Sequence, residues 1–369
     1  MSKTSETVLE LDLSALEHNY NFLRLKISPS TKFLAVVKAY AYGSEALVIA
    51  KKLESLGVDY IAVAYVKEGI VLRDAGIKTP ILVLHPQPIN FNELIDRCLE
   101  PSIYSPKILE EFLITAKKHG QTEYPAHIKF NTGLNRLGFW ENDVDYIIEQ
   151  LKGRKEIRIK SIFSHLAASD DLNERKFTKA QIDAFEKITL EVNEKLGYSP
   201  FRHLLNTSGI INYPEAQFDM VRSGIGLYGF GNDKNIDAQL KPIATLKTII
   251  SQIHNIEPNE SVGYNRAFKS NTFRITATLP LGHADGIGRQ YGNGKAFVNV
   301  NGYMAPIIGN VCMDMIMVDV TGIECKAGDE VVIFGKNPTA EEFASQANTI
   351  SYELLTGISQ RVKRLVITD

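Results

Sequence analysis

Residues 33 to 43 read Phe-Leu-Ala-Val-Val-Lys-Ala-Tyr-Ala-Tyr-Gly. The apolar run that opens this stretch is typical of a strand buried on both faces, as in a parallel sheet. Lys38 follows the run directly, so we expect it at the C-terminal end of that strand, where α/β barrels place their active sites. A lysine held away from water there loses part of its preference for the ammonium form and can attack a carbonyl carbon.

Seven further β-branched or aromatic runs follow, and helix-like segments lie between them. The eight runs span residues 33–39, 60–66, 81–85, 101–105, 126–131, 159–167, 203–206 and 220–226. Apolar residues recur with helical spacing in 44–56, 106–119, 142–151 and 173–196. This regular alternation predicts an α/β fold in which eight parallel strands close a (β/α)8 TIM barrel.

The pattern changes after Gly229, where a polar stretch ends in Pro242. Shorter runs then lie close together, at 245–256, 273–279, 296–300, 315–320 and 330–334, and short helices are predicted at 341–347 and 352–357. Closely spaced strands separated by turn residues indicate antiparallel pairing. We therefore predict a TIM-barrel, cofactor-binding domain over residues 1–238 and a mainly β C-terminal domain over residues 239–369.

Composition narrows the class of protein. The 41 basic and 43 acidic side chains nearly cancel, which argues against a nucleic-acid partner or a polybasic membrane anchor. The three cysteines are far apart in the chain, which excludes a disulfide framework and a paired-cysteine zinc site, and we expect no metal. No signal peptide and no long apolar window is visible, so we expect a cytoplasmic protein that does not span a membrane.

Four more polar residues stand near predicted strand ends: Arg136, His165, Asn206 and Arg222. Taken singly, each has an ordinary structural explanation, such as a surface arginine or a hydrogen-bonded core histidine. Residues 224–229 match GxGxxG, but no amphipathic helix follows, so they favour a phosphate-binding barrel loop over a dinucleotide site. A closed barrel would bring Lys38, this loop and the cations to one rim. That set of groups suits pyridoxal 5′-phosphate.

At this point the chain resembles the alanine racemase family, which comprises fold-type-III pyridoxal-phosphate racemases. The resemblance covers nearly the whole chain and rests on seven segments in the same order. They are AVVKAYAYG, NTGLNRLG, RSGIGLYG, SVGYNRAF, LPLGHADG, IGNVCMDM and ISYELLTGISQRV. It implies that L- and D-alanine are interconverted by two bases, supplying D-alanine for peptidoglycan. Lys38 would bind the cofactor covalently and act as one base, and the partner subunit's Tyr264 would be the other base in a homodimer.

The resemblance also implies roles for the remaining matched positions. The residues implied to hold the cofactor, mainly at its phosphate, are Tyr42, Asn206, Thr207, Gly224, Ile225 and Tyr352. Arg222 would hydrogen-bond the pyridine nitrogen, with His165 positioning Arg222. Arg136 would orient the substrate carboxylate, and Met313 would contact the substrate from across the dimer. Lys129 matches a position that is carbamylated in some members of the family.

Several positions depart from the family pattern. Ser44, Glu45 and Ala46 replace a usual Gly-His-Gly stretch, and Asn131 stands where aspartate is common. His283 and Asn310 stand where the substrate corridor usually has tyrosine and arginine. The last two changes leave open a racemase of broader specificity, acting on serine or lysine.

Three other classes of protein fit the sequence less well than a racemase. A fold-type-III decarboxylase is disfavoured because the chain has no Gly-Gly pair. A non-catalytic pyridoxal-phosphate-binding protein resembles the barrel alone, and the second domain with Tyr264 and Tyr352 argues against it. A scaffold protein would not need Lys38 together with a phosphate loop.

Overall fold

The computed structural model describes residues 5–367, without the side chain of Lys234, and divides them into two compact units. The barrel unit comprises Glu17–Ala41 and Ala46–Leu240. The sheet unit comprises the described residues up to Leu16, Tyr42–Glu45, and those from Lys241 onward. Within residues 5–367, none of the helices combines the length and the apolar character needed to cross a membrane.

The first strand, β1 (Val8–Asp12), belongs to the sheet unit. The next eight strands are parallel and close a barrel, which confirms the predicted (β/α)8 fold. They are β2 (Lys32–Val36), β3 (Tyr60–Val63), β4 (Ile81–Val83), β5 (Glu100–Ile103), β6 (Tyr124–Lys129), β7 (Ile157–Phe163), β8 (Phe201–His203) and β9 (Met220–Ser223). Closure is made by β9 pairing with β2, with Arg222 opposite Leu34.

Helices follow the barrel strands as the apolar spacing predicts. The α-helices of this part of the chain are Leu13–Arg24, Ala46–Ser55, Val66–Asp74, Phe91–Asp96, Pro106–Lys118, Val144–Leu151, Arg175–Leu196, Thr207–Asn212 and Lys234–Asp237. The helix Pro106–Lys118 shows why they form. Ser105 caps its first turn by accepting from the Ile108 N–H, a proline occupies its first position, and its last turn is basic. Its apolar face is buried, which stabilises the helix by roughly 1.5–3 kcal/mol for each large side chain.

The sheet unit is mainly β, as predicted. Its strands after β1 are β10 (Ala244–Ile249), β11 (Gln252–Ile256), β12 (Ser261–Val262), β13 (Phe268–Lys269), β14 (Arg274–Leu279), β15 (Phe297–Val300), β16 (Tyr303–Ile308), β17 (Ile316–Asp319), β18 (Glu330–Phe334) and β19 (Lys363–Ile367). Nine strands pair in the order β11-β14-β17-β16-β15-β18-β10-β1-β19, and β12 and β13 form a separate hairpin. All pairs are antiparallel except β1 with β19. Two short α-helices, Ala340–Ser345 and Ser351–Gly357, follow β18.

Short 3₁₀ helices complete the secondary structure. They occur at Pro88–Asn90, Glu141–Asp143, Leu172–Glu174, Pro214–Ala216, Ile225–Tyr228, Tyr264–Arg266, His283–Asp285 and Arg289–Tyr291. Three of these 3₁₀ helices contain residues that the sequence analysis assigned to the predicted active site. Ile225–Tyr228 forms the predicted phosphate loop, and Tyr264–Arg266 and His283–Asp285 carry residues that the family resemblance singled out.

Some sequence-based boundaries were wrong. The run 33–39 is a strand only to Val36, because the residues after Lys38 turn into a left-handed helix. The run 245–256 is two strands, since Ile250 and Ser251 separate β10 from β11. Strands β1, β12, β13, β16 and β19 were not predicted. The first of these matters most, because it pairs with both β10 and β19 and so connects the edge strand β19 to the rest of the nine-stranded sheet.

Candidate active site

Lys38 lies just beyond the C-terminal end of β2, at the start of an unusual turn. The four residues Ala39 to Tyr42 all have φ between 53° and 55°, and Gly43 has φ 78°. Residues other than glycine rarely adopt this left-handed backbone conformation, which costs roughly 1–2 kcal/mol per residue. Such strain is concentrated at functional sites, where the surrounding structure maintains it. The turn therefore marks Lys38 as more than a solvent-facing strand end.

Burial lowers the pKa of Lys38 below that of an ordinary lysine, and the positive charge of Arg136 lowers it further. The Glu68 carboxylate acts in the opposite direction and is the smallest of the three influences. A lowered pKa increases the share of neutral amine, which is the form that acts as a nucleophile and as a base. Burial and the neighbouring charges thus favour the neutral amine at Lys38 more than at an exposed lysine.

Lys129, the last residue of β6, faces the same group of cations. Burial, followed by the charges of Arg136, Arg222 and Lys38, lowers its pKa to about 8. Burial and the same cations hold the pKa of His165 well below its usual range, so the imidazole is neutral. Cations held this close repel one another. The chemistry of this rim therefore suits an anionic ligand such as a phosphate ester with a carboxylate.

Arg222, on β9, is fixed by five hydrogen bonds. Its Nη1 donates to Nδ1 of His203 at 2.8 Å and to the His203 carbonyl at 3.0 Å. Its Nη2 donates to the Ser164 and Leu204 carbonyls at 2.7 and 3.0 Å and to Nδ1 of His165 at 3.1 Å. Among the described residues no hydrogen bond uses its Nε. Burial lowers the pKa of Arg222 to about 9, so the guanidinium stays charged at neutral pH and keeps one donor for a ligand.

The predicted phosphate loop follows β9 and packs against the start of the helix Thr207–Asn212. The Thr207 and Ser223 hydroxyl oxygens lie 3.0 Å apart, and the Gly226 N–H donates to the Thr207 oxygen at 3.3 Å. A Cβ on Gly226 would lie 2.5 Å from Cγ2 of Thr207, so only glycine allows this close packing. Asn206 caps the helix by accepting from the Gly209 N–H at 2.9 Å. Hydroxyls and backbone N–H groups beside a helix start suit a phosphate.

Asn131 organises the loop that delivers Arg136. Its side-chain oxygen accepts from the N–H of Gly133 at 3.2 Å and of Asn135 at 2.9 Å, and its amide nitrogen donates to the Asn135 side chain at 2.9 Å. An aspartate could make only the accepted bonds. The departure from the family pattern therefore adds a contact within the loop, while the Arg136 side chain remains exposed.

The remaining site residues belong to the sheet unit. Tyr42 is 8% exposed, and its ring centroid lies 6.1 Å from that of Tyr352. Burial, followed by the neighbouring Tyr352, raises the pKa of Tyr42, so its hydroxyl stays protonated and can donate. Tyr264 is different, because 72% of it is exposed. It stands between Gly263 and Asn265, both with positive φ.

Two loops of the sheet unit hold Met313. The N–H of His283 donates to the Cys312 carbonyl, and that of Ala284 donates to the Met313 carbonyl, both at 3.0 Å. Arg361 joins the same loops through Asp285, at 2.7 and 3.0 Å, and Asp314, at 2.6 Å. Sequence reasoning did not single out this arginine and its two carboxylates. They fix the backbone of a methionine that is itself 59% exposed.

The sequence-predicted residues thus fall into two groups. The barrel unit brings together Lys38, Lys129, Arg136, His165, Asn206, Thr207, Arg222, Gly224 and Ile225. The sheet unit carries Tyr42, Tyr264, Met313 and Tyr352. Sequence reasoning missed Glu68, whose carboxylate influences Lys38. The sequence feature that could have identified Glu68 is its position in the first turn of a barrel helix, where a carboxylate can accept hydrogen bonds from backbone N–H groups.

Comparison with known proteins gives consistent matches along the chain. The family model for the alanine racemase N-terminal domain matches residues 11–231, and that for the alanine racemase C-terminal domain matches residues 243–366. Alanine racemase 1 of Clostridium acetobutylicum is 37% identical over 98% of this chain and 95% of its own length.

Solved structures agree with the sequence matches. The alanine racemase of Clostridium difficile 630 superposes with a TM-score of 0.92 at 33% identity, covering 99% of this chain and 97% of that one. The Bartonella henselae alanine racemase, solved with covalently bound pyridoxal phosphate, gives a TM-score of 0.90 at 29% identity, covering 99% and 100%.

Proposed function

We propose, because the chain belongs to the alanine racemase family, that it is a pyridoxal-phosphate-dependent racemase that interconverts L- and D-alanine. The observation that supports this most directly is Lys38, a partly buried amine with a lowered pKa at the C-terminal rim of a closed barrel. Three other cations and a glycine loop stand around the same rim.

The residues present fit pyridoxal phosphate. Thr207, Gly224 and Ile225 would hold the phosphate, and Asn206 fixes the helix start beside them. Family membership implies phosphate contacts for Tyr42 and Tyr352 as well. Arg222 would donate its remaining Nε–H to the pyridine nitrogen, while His165 holds the other end of the guanidinium. Bound there, the cofactor would supply an aldehyde for covalent attachment to Lys38 and a conjugated ring that spreads the charge left by α-proton removal.

The chain's own residues would move the proton. Racemisation takes the α-proton from one face of the substrate and returns a proton to the other. We assign Lys38 to one face and the partner subunit's Tyr264 to the other. Arg136 would orient the substrate carboxylate. Arg222 stays charged and donates, so it does not leave the pyridine nitrogen protonated as a neighbouring carboxylate would.

A homodimer accounts for the exposed residues of the sheet unit. Tyr264, Met313 and Met315 are 72%, 59% and 48% exposed. They line a cavity of about 570 Å³ with Cys312 and Met317. Exposed apolar side chains gathered in this way mark an interaction surface. We propose that this surface meets a second copy, so that Tyr264 and Met313 complete the partner's site and residues 239–369 serve both subunits.

A racemase of broader specificity is the second candidate. His283 and Asn310 replace the tyrosine and arginine expected in the substrate corridor. Asn310 is held by two hydrogen bonds, because its amide nitrogen donates to the Tyr264 carbonyl at 3.1 Å and its side-chain oxygen accepts from the side-chain amide of Asn293 at 3.3 Å. The loss of a long cation here favours acceptance of side chains larger than methyl, such as those of serine or lysine. With alanine as substrate, the D-alanine product would serve peptidoglycan synthesis in the cytoplasm.

Borohydride reduction tests the assignment. The purified protein with pyridoxal phosphate should take up the cofactor irreversibly on reduction, and peptide mapping should place it on Lys38. Labelling at another lysine would refute the role of Lys38. A chiral assay over a panel of L-amino acids should show alanine racemised fastest, and faster turnover of serine or lysine would favour the second candidate.

A further inference from the structure

The barrel interior contains a continuous chain of polar side chains, one from each of five consecutive strands. Nη1 of Arg222 on β9 is 2.8 Å from Nδ1 of His203 on β8, and Nε2 of His203 is 2.8 Å from Oγ of Ser161 on β7. The Ser161 oxygen is 2.6 Å from Nδ1 of His127 on β6. Nε2 of His127 is in turn 2.6 Å from the Glu100 carboxylate on β5. We call these five residues the barrel relay.

The relay is isolated from solvent. Ser161, His127 and His203 are completely buried, Arg222 is 5% exposed and Glu100 is 9% exposed. TIM-barrel interiors are usually filled by branched apolar side chains. A buried polar network contributes no more to stability than apolar packing unless every member is satisfied. Five hydrogen-bonded polar side chains in succession are therefore unusual for a barrel interior.

Arg222 sets the direction of every bond in the relay. A guanidinium can only donate, so Nδ1 of His203 must accept. The proton of His203 is then on Nε2, which donates to Ser161. Because the Ser161 oxygen accepts this bond, its own hydroxyl proton is free to donate to Nδ1 of His127.

The far end of the relay follows from the same rule. With Nδ1 accepting, the proton of His127 is on Nε2, and it donates to an ionised Glu100. The Tyr60 hydroxyl is also hydrogen bonded to Glu100, and burial, reinforced by this contact, raises the pKa of Tyr60. The relay therefore joins a buried cation to a buried anion through two neutral histidines.

We infer that Glu100 is the remote counter-charge of Arg222, and that Ser161, His127 and His203 transmit its influence to the guanidinium. This inference rests on the proposed function, in which the Nε–H of Arg222 meets the cofactor ring. Hydrogen bonds aligned in one direction strengthen one another. The ionised Glu100 draws the Nη1 protons of Arg222 toward the barrel interior and weakens donation from Nε. Glu100, His127 and Ser161 are thus positioning residues that tune the proton affinity of the ring nitrogen.

The tautomers provide a test that needs no activity. Nitrogen-15 NMR of the histidine-labelled full-length protein, with and without pyridoxal phosphate, should show His127 and His203 neutral and protonated on Nε2. In Ser161→Ala the His127 signals should shift, because Nδ1 loses its donor, whereas His203 should keep its tautomer. A wild-type His127 with its proton on Nδ1, or on both nitrogens, would overturn the inference even if alanine is racemised.

Catalysis provides the second test, through a double-mutant cycle. Ser161→Ala and Glu100→Gln should each lower kcat about tenfold, as loss of an outer partner commonly does, with little change in KM. Because the two act in series, the double variant should lose no more than either single one. Losses that multiply would show two independent structural effects and overturn the relay.

Ser102 supplies the matched control. It lies on β5, two residues after Glu100, and its completely buried hydroxyl has no hydrogen-bond partner within residues 5–367. Ser102→Ala should therefore leave the histidine signals and kcat unchanged. Equal effects of Ser102→Ala and Ser161→Ala would also count against the inference.

Discussion

The Glu68 carboxylate accepts the backbone N–H of Ala39 at 2.6 Å, immediately after Lys38. Its other oxygen accepts the N–H groups of Ala64 and Tyr65 at 2.7 and 3.0 Å. One side chain thus joins the left-handed turn to the loop between β3 and the helix Val66–Asp74. Inside the turn, the Ala41 N–H donates to the Val37 carbonyl at 2.9 Å. Glu68 both stabilises the strained backbone and places a negative charge near the Lys38 amine.

Glu68→Gln should destabilise the fold and shift the reactivity of Lys38. The amide retains one oxygen, so bonds to Ala39 or to the Ala64 loop are weakened, at a cost of about 1–3 kcal/mol in the free energy of unfolding. Glu68 raises the pKa of Lys38, so its neutralisation should lower that pKa further. Denaturant unfolding would measure the loss of stability. Borohydride labelling across pH would measure the change at Lys38, and labelling of Glu68→Gln should extend to lower pH than labelling of the wild type.

Glu93→Gln is the control for that substitution. Glu93 also stands in the first turn of a barrel helix, but it is exposed and accepts from the side chain of Asn90 rather than from backbone N–H groups of another loop. The free energy of unfolding of Glu93→Gln, and the pH dependence of its borohydride labelling, should match those of the wild type. A Glu68→Gln protein that behaves in the same way would show that the contact does not maintain the turn.

Mixing Lys38→Ala and Tyr264→Ala proteins should restore activity. If Tyr264 serves the partner's site, each hybrid dimer holds one site with both bases intact and one with neither. Random exchange should then give up to about a quarter of wild-type activity from two inactive parents. Racemisation assays after subunit exchange, with exchange verified by mass, would measure this. No recovery after full exchange would place both bases in one subunit.

Tyr264→Phe should separate the two enantiomers in hydrogen exchange. Net racemisation must slow equally in both directions because the enantiomers have equal energy, so exchange of the α-hydrogen with deuterated water is the informative measurement. Loss of one base should slow exchange for the enantiomer it serves by about 10²–10⁴-fold and spare the other. Tyr303→Phe, at a tyrosine that is 65% exposed in the same unit, is the control. Equal losses for both enantiomers would contradict two separate bases.

Lys129 should take up carbon dioxide at lower pH than an ordinary lysine. Its neutral amine attacks carbon dioxide, forming an N–C bond and releasing a proton to water. The pKa of about 8 makes that neutral form abundant above pH 8, whereas an ordinary lysine needs a pH near ~10.4. Carbon-13 NMR with labelled bicarbonate should show a carbamate that grows with pH and disappears in Lys129→Arg. The exposed Lys160 is the control, and a signal that depends on Lys160→Arg instead would contradict the assignment.

Much of the barrel was predictable because its strands are short apolar runs between amphipathic helices. The end of β2 was not, because nothing in Ala-Tyr-Ala-Tyr favours a left-handed turn, and its conformation depends on Glu68, far along the chain. The relay was missed for a related reason. His127 and His203 look like isolated polar residues within apolar strands, and their partners become visible only when the barrel closes. The available signal was a polar residue at an inward position in five successive strands.

The pairing of β1 with β19 sets the order in which the chain can finish folding. Val8 lies opposite Lys363, so β1 cannot complete this part of the sheet until β19 has been made. On the ribosome, the barrel segment is synthesised long before that partner emerges. A nascent chain would therefore carry β1 with only its β10 partner available, and its other edge would stay unpaired until β19 emerges. Shortening the chain at its far end would expose that edge again and invite aggregation.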